Sequence, residues 1–132
     1  MEAAHPITIV DMEAGLEHLS RGTARHVDRL FIVLEPYYKA LEIGRRAAGL
    51  GHELGIARVA GIANKLRDDQ DVKAVTEFAA AHGIPVAAQV PLDDEIRRGD
   101  LAGRAPIELT HSPAIATIAT LADQVLRTAD IE

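Results

Sequence analysis

Three short groups of residues in this 132-residue chain have types and spacing suited to chemistry. Ile7-Thr8-Ile9-Val10 is a β-branched run ending in Asp11, and Gly15 follows four residues later. An acid at the carboxyl end of a buried strand can hold a water-bound Mg²⁺, and a nearby glycine lets backbone N–H groups approach a terminal phosphate. Asn64-Lys65 and Pro91-Leu92-Asp93 each close a further apolar run. An Asn side chain carries both donor and acceptor, which matches the edge of a purine ring, and the backbone from Val90 to Asp93 can supply remaining base contacts. A plain turn at Asn64 and a plain strand end at Pro91 fit the same residues, so spacing alone leaves both readings open.

The elements that must position these groups alternate β-rich runs with amphipathic stretches, the pattern of parallel βα units with helices on both faces of a sheet. Strands are predicted over Ile7–Val10, Arg29–Glu35, Ala57–Ala63 and Ile84–Val90. Met12 to Thr23 lacks a clear period and reads as a loop with one helical turn at Leu16–Ser20. Pro36 opens a helix whose apolar stripe is Ala40, Ile43, Ala47, Leu50 and Leu54 and which Gly55 ends. Gly44, Gly49 and Gly51 weaken that helix unless they permit close packing. A second helix runs through Val72, Val75, Phe78 and Ala79 to Gly83, after a polar loop from Arg67 to Asp71. Asp93, Asp94 and Glu95 crowd the first turn of a short helix, where carboxylates suit the positive end of the dipole. Ser112 and Pro113 start the last helix, with Ile115, Ile118, Ala122 and Val125 as its buried face. No repeat or composition break divides the chain, so residues 1–132 read as one α/β domain. Asp11, Asn64-Lys65 and Pro91-Leu92-Asp93 then share the carboxyl edge of the sheet, where open α/β sheets bind ligands.

Composition narrows the function classes. At 48% hydrophobic the chain can bury a core, covering roughly two-thirds of its unfolded surface. A net charge of −6, two Phe, two Tyr and no Trp offer neither an electrostatic footprint for nucleic acid nor a stacking platform. No apolar run is long enough to span a bilayer and the amino terminus lacks signal-peptide regions, so a cytoplasmic protein is predicted. Zero cysteine removes a thiolate nucleophile and any Cys-based metal site. The six histidines repeat no metal-ligand spacing, and Asp68, Asp69 and Asp71 lack the later Gly and Glu of a calcium loop. Gly49-x-Gly51 follows no strand and is not a dinucleotide loop.

The run Asp11-Met12-Glu13-Ala14-Gly15-Leu16-Glu17-His18-Leu19-Ser20-Arg21-Gly22-Thr23, with Val27-Asp28 and a strand ending near Glu35-Pro36, resembles the second half of the carbon monoxide dehydrogenase maturation ATPases. These are CooC-type proteins of the MinD/ParA class of P-loop ATPases. The resemblance continues through Asn64-Lys65 and Pro91-Leu92-Asp93-Asp94-Glu95-Ile96 and covers about residues 7 to 110. It implies a partial P-loop-NTPase-like, three-layer fold. Asp11 would be the Walker B acid near Mg²⁺, Gly15 would lie by the γ-phosphate, and Asn64, Lys65 and the backbone of Pro91, Leu92 and Asp93 would meet the base of ATP or ADP. Glu13, Glu17, His18 and Arg21 would ride in the switch segment that reports the nucleotide state to a partner. The family forms a nucleotide-controlled dimer and assists nickel insertion into carbon monoxide dehydrogenase.

The departures from that family are equally specific. The phosphate cradle Gly-x-x-x-x-Gly-Lys is absent, for Lys39, Lys65 and Lys73 are the only lysines and none follows a glycine. In the family that cradle, the switch I acid and the paired nickel cysteines all precede the Walker B strand, where this chain has six residues. The expectation is therefore a half that is inactive without a phosphate loop supplied in trans. The open sheet edge would be filled by a separately encoded front half or by a second copy of the chain. The alternative is a noncatalytic remnant or regulatory interaction domain of the same fold, which binds no nucleotide.

Overall fold

The computed structural model describes residues 7–12 and 20–129. Its elements follow in the order α1 (Arg21–Ala24), β1 (Arg29–Leu34), α2 (Tyr38–Glu53), β2 (Arg58–Leu66), α3 (Asp69–Ala81), β3 (Val86–Pro91), α4 (Asp94–Leu101), a 3₁₀ turn (Pro106–Glu108) and α5 (Pro113–Ala129). The strands form a parallel sheet in the order β1-β2-β3. Each strand is followed by a helix because a parallel neighbour can be reached only through a crossover. The segment expected to turn helical at Leu16–Ser20 falls largely on residues 13–19, outside the described residues; the short helix α1 lies beyond it.

Alternation along β1 divides its side chains between two faces. Leu30, Ile32 and Leu34 meet α2, with Leu34 wholly buried. Phe31 and Val33 point the other way. The stripe expected on α2 is corrected by about one residue: Leu41, Gly44, Ala48 and Gly51 are buried, while Ile43 is exposed. Where α2 crosses β1, the sheet supplies Leu30, Ile32 and Leu34 and the helix Gly44 and Gly51, so the backbones approach closely. A Cβ on Gly44 would clash with Leu34 Cδ2, and one on Gly51 would stand 2.9 Å from Leu30 Cδ2, whereas nothing lies within 4 Å of a Cβ on Gly49. Gly44→Ala is therefore expected to cost about 1–2 kcal/mol through overpacking. Gly49→Ala should stabilise by about 0.5–1 kcal/mol through helix propensity. Paired urea titrations check the opposite signs. Gly55, at φ +82°, ends the helix as anticipated.

Three other expectations need correction. Ile7–Val10 is not a strand: no described strand pairs with it, and Ile9 and Val10 are 88% and 64% exposed. Apolar composition does not make a strand without a neighbour to receive its backbone hydrogen bonds. The strand predicted to stop at Ala63 continues to Leu66, so Asn64 and Lys65 lie within β2 rather than beyond it. On α5 the expected buried face is only partly right. Ala114 is fully buried and Ile115 and Val125 half-buried, but Ile118 and Ala122 are exposed because the helix packs mainly on β3.

Candidate nucleotide-binding edge

At the carboxyl edge the ladder between β2 and β3 is irregular. Ala63 pairs with Gln89 and Leu66 with Pro91, so three steps along β2 match two along β3. Asn64-Lys65 thus contains a β-bulge. A second irregularity, where Gly61 pairs with Val86 and Ile62 with Ala88, puts the extra residue on β3 and restores the overall register. Bulges re-aim side chains where pairing must give way to a site. Lys65 takes φ 56°, the only positive φ at a non-glycine among the described residues. A left-handed conformation costs an L-residue about 1–2 kcal/mol.

The bulge fixes what stands at the edge. Lys65 Nζ lies 3.1 Å from Glu35 Oε1, bridging the ends of β1 and β2. Sequence reasoning passed over Glu35, although its place directly after a strand was the available signal. Asn64 is half-buried, and its side chain makes no hydrogen bond among the described residues. Lys65→Gly is expected to leave stability unchanged or raise it by up to about 1 kcal/mol, since relief of the left-handed backbone offsets a half-exposed ion pair of small value. Thermal unfolding of the variant tests this.

Beyond β3, the Leu92 N–H donates to Leu66 O at 2.8 Å, holding the Pro91-Leu92-Asp93 turn against the end of β2. Leu92 itself is 55% exposed. Asp93 caps α4 by accepting from the Glu95 N–H at 2.9 Å. Its other oxygen accepts from the Ser112 hydroxyl and the Ala114 N–H. The Ser112 oxygen in turn accepts from the Ile115 N–H. One carboxylate therefore ties the starts of α4 and α5 together. Ser112 was recognisable as a helix cap, but not as a partner of Asp93, 19 residues away.

The other acids of the edge are also engaged. Asp68 caps α3 through the Asp71 N–H, and Asp71, nearly buried, accepts from the backbone and guanidinium of Arg67. The residues expected to form a polar loop thus build the start of a helix. The Ser112 hydroxyl foremost, then the helix-start amides, hold the Asp93 carboxyl below the usual range, and the Arg67 guanidinium followed by its N–H does so for Asp71. A depressed folded pKa contributes stability above the unfolded value and loses it as pH falls through the folded value. Acid unfolding should therefore begin as pH nears the unperturbed value of about 4 and complete below it. Asp71→Asn should flatten that limb in melts recorded from pH 6 to 3.

Asp11 stands exposed just after the Ile7–Val10 run, and among the described residues no hydrogen bond or ion pair links it to this edge. Arg21 opens α1 and is exposed, while Ala24 of that helix enters the core. Glu13, Gly15, Glu17 and His18 lie outside the described residues. A recess of about 440 Å³ is at the other end of the sheet, beneath α5 and bounded by Arg29, Phe31, Ala60 and Leu121.

A sequence comparison decides the relationship. The chain is 36% identical to the carbon monoxide dehydrogenase accessory protein CooC of Rhodospirillum rubrum, over 89% of this chain and 45% of CooC. The chain is homologous to CooC. It also matches an uncharacterised ATP-binding protein of Methanocaldococcus jannaschii, at 35% identity over 82% of this chain and 42% of that protein. No protein-family model matches. Among solved structures, a ParA family ATPase of Chlorobium tepidum aligns with TM-score 0.66 at 22% identity, covering 81% of this chain and 45% of that one. The MinD cell division protein of Aquifex aeolicus aligns at 0.64 and 17%, covering 75% and 44%. The CooC homologue therefore has the parallel α/β architecture of the MinD/ParA P-loop NTPases and spans somewhat under half the length of these proteins. No helix of the described residues is long and apolar enough to cross a membrane.

Proposed function

We propose that residues 1–132 form the base-binding part of a CooC-type ATPase, taking ATP or ADP with Mg²⁺ and acting only when a phosphate-binding loop is supplied by another segment. The observation that carries this reading is the half-buried Asn64 amide, without a hydrogen bond among the described residues, on β2 two residues before Leu66, whose carbonyl accepts from the Leu92 N–H of the Pro91–Asp93 turn at the carboxyl edge of a parallel sheet. Its donor and acceptor match those of adenine. Lys65, with the backbone of Pro91, Leu92 and Asp93, borders the same ring. The exposed Asp11 carboxylate suits Mg²⁺ held through water, an ion that takes one or two carboxylates alongside phosphate oxygens. Bound there, the ion would neutralise phosphate charge. Gly15 serves the γ-phosphate, and Glu13, Glu17, His18 and Arg21 carry the nucleotide state to a partner. No described group of this chain fits the phosphates themselves, so hydrolysis belongs to the completed assembly.

The family relationship supports nickel insertion into carbon monoxide dehydrogenase as the process served, in a cytoplasmic dimer, with the metal as cargo. The first test is an NMR titration following the Asn64 side-chain amide. With base contacts but no phosphate cradle, the chain alone should bind adenosine and ADP·Mg²⁺ weakly and within about threefold of each other. If the Asn64 amide fails to shift with either ligand, the noncatalytic interaction domain becomes the better reading.

A further inference from the structure

Helix α5 is tied down at both ends. At its start the Ala114 N–H donates to the Asp93 carboxylate at 3.3 Å, beyond the end of β3. Near its end the Thr128 hydroxyl accepts from Arg29 Nη2 at 2.9 Å, at the beginning of β1. Between these ties it passes over Ala60 on β2 and Ala87 on β3, small side chains on strands whose helix-covered faces ordinarily carry Val, Ile or Leu. A helix held at both ends cannot settle into the space that the alanines leave, because the surroundings of a missing side chain relax only in part. The result is the recess of about 440 Å³ with Phe31, Ala60, Ala87 and Leu121 among its walls. Small-molecule sites span roughly 300–1,000 Å³, so the space is of ligand size.

Charge gives the recess its ligand chemistry. Arg29 and Arg58 line it and, among the described residues, no Asp or Glu does, although the chain carries a net charge of −6. Arg29 is half-buried, with its Cζ 5.7 Å from the centre of the Phe31 ring. The bond to Thr128 is the one hydrogen bond of its guanidinium among the described residues, which leaves most of its N–H donors uncommitted. Ring and hydroxyl thus hold a planar cationic fork beside apolar walls, and such a fork takes a carboxylate through two parallel N–H donors. We propose that this recess binds a small amphipathic carboxylate, its acid group on Arg29 and its hydrocarbon body against Phe31, Ala60, Ala87 and Leu121. The site lies a strand length, about 20 Å, from the Asn64 edge. It goes beyond the nucleotide reading and does not depend on it.

The test titrates the purified chain with octanoate and follows the methyl signals of Ala60, Ala87 and Leu121 by NMR, with 1-octanol as a tail without charge and acetate as a charge without tail. Octanoate should shift the three methyls together and saturate at about millimolar concentration or below, while both controls bind at least about tenfold more weakly. Arg29→Gln should weaken octanoate by about tenfold or more and leave 1-octanol within about twofold. The comparison of the three ligands uses the unsubstituted chain, so it stands whatever the variant's folding. Three unmoved methyls, equal movement of the exposed Ile43 and Leu101, 1-octanol bound as tightly as octanoate, or a folded Arg29→Gln chain that binds octanoate like the parent would each overturn the proposal. A chain that binds octanoate but no ADP would instead refute the nucleotide reading and leave this site standing.

Discussion

Replacing Asn64 with Ala is expected to weaken ADP binding by about tenfold to a hundredfold, because both polar positions that the amide serves on adenine lose their partner at a half-buried edge. The fold should hardly notice. Asn64 makes no side-chain hydrogen bond among the described residues, so its removal should change stability by no more than about 0.5 kcal/mol. Asn64→Asp gives a sharper contrast, since it keeps the acceptor and loses the donor. Isothermal titration of both variants, beside urea unfolding, separates the effects. Equal affinity for the Ala variant and the parent would remove Asn64 from the site.

Asp93→Ala should have the opposite profile, with a large effect on stability that reaches nucleotide binding only indirectly. The substitution removes the α4 cap and both contacts to the start of α5, leaving the Ser112 hydroxyl, Glu95 N–H and Ala114 N–H without that acceptor. A lost helix cap and the unpaired donors together should lower the melting midpoint by about 5–10 °C. Hydrogen exchange should locate the loosening at the first turns of α4 and α5 while β1 and β2 keep their protection. A melting point unchanged by Asp93→Ala would contradict the account of this carboxylate as the joint between the two helices.

The fold was legible where side-chain pattern and backbone demand agree. Arg29–Leu34 is apolar enough to read as a buried strand, Gly55 marks the end of α2, and Ser112 marks the beginning of α5. The face of α2 was hidden because hydrophobic pattern counts large residues, whereas this interface puts the large residues on β1 and glycines on the helix. The Ile7–Val10 run shows the reverse failure: strand composition without a pairing partner among the described strands yields an exposed segment outside the sheet. Of the three groups expected to converge, the Pro91-Leu92-Asp93 turn lies against the end of β2 at Leu66, as strand order implied, whereas Asp11 has no hydrogen bond or ion pair to this edge among the described residues. The bulge at Asn64-Lys65, the Glu35 ion pair and the Asp93–Ser112 joint did not follow from strand order, because register irregularities and contacts between distant residues leave no local mark in a sequence.

In the proposed function, this chain supplies the base site, and another segment the phosphate site, of one ATPase. The most direct measurement is the affinity for ATP·Mg²⁺ of the chain alone and of the chain mixed with the unmatched portion of Rhodospirillum rubrum CooC. Completing the phosphate cradle should tighten binding by about a hundredfold or more, and Asn64→Ala should remove at least about tenfold of that affinity. Equal affinity of the mixture and of the CooC portion by itself, with no dependence on Asn64, would contradict the account.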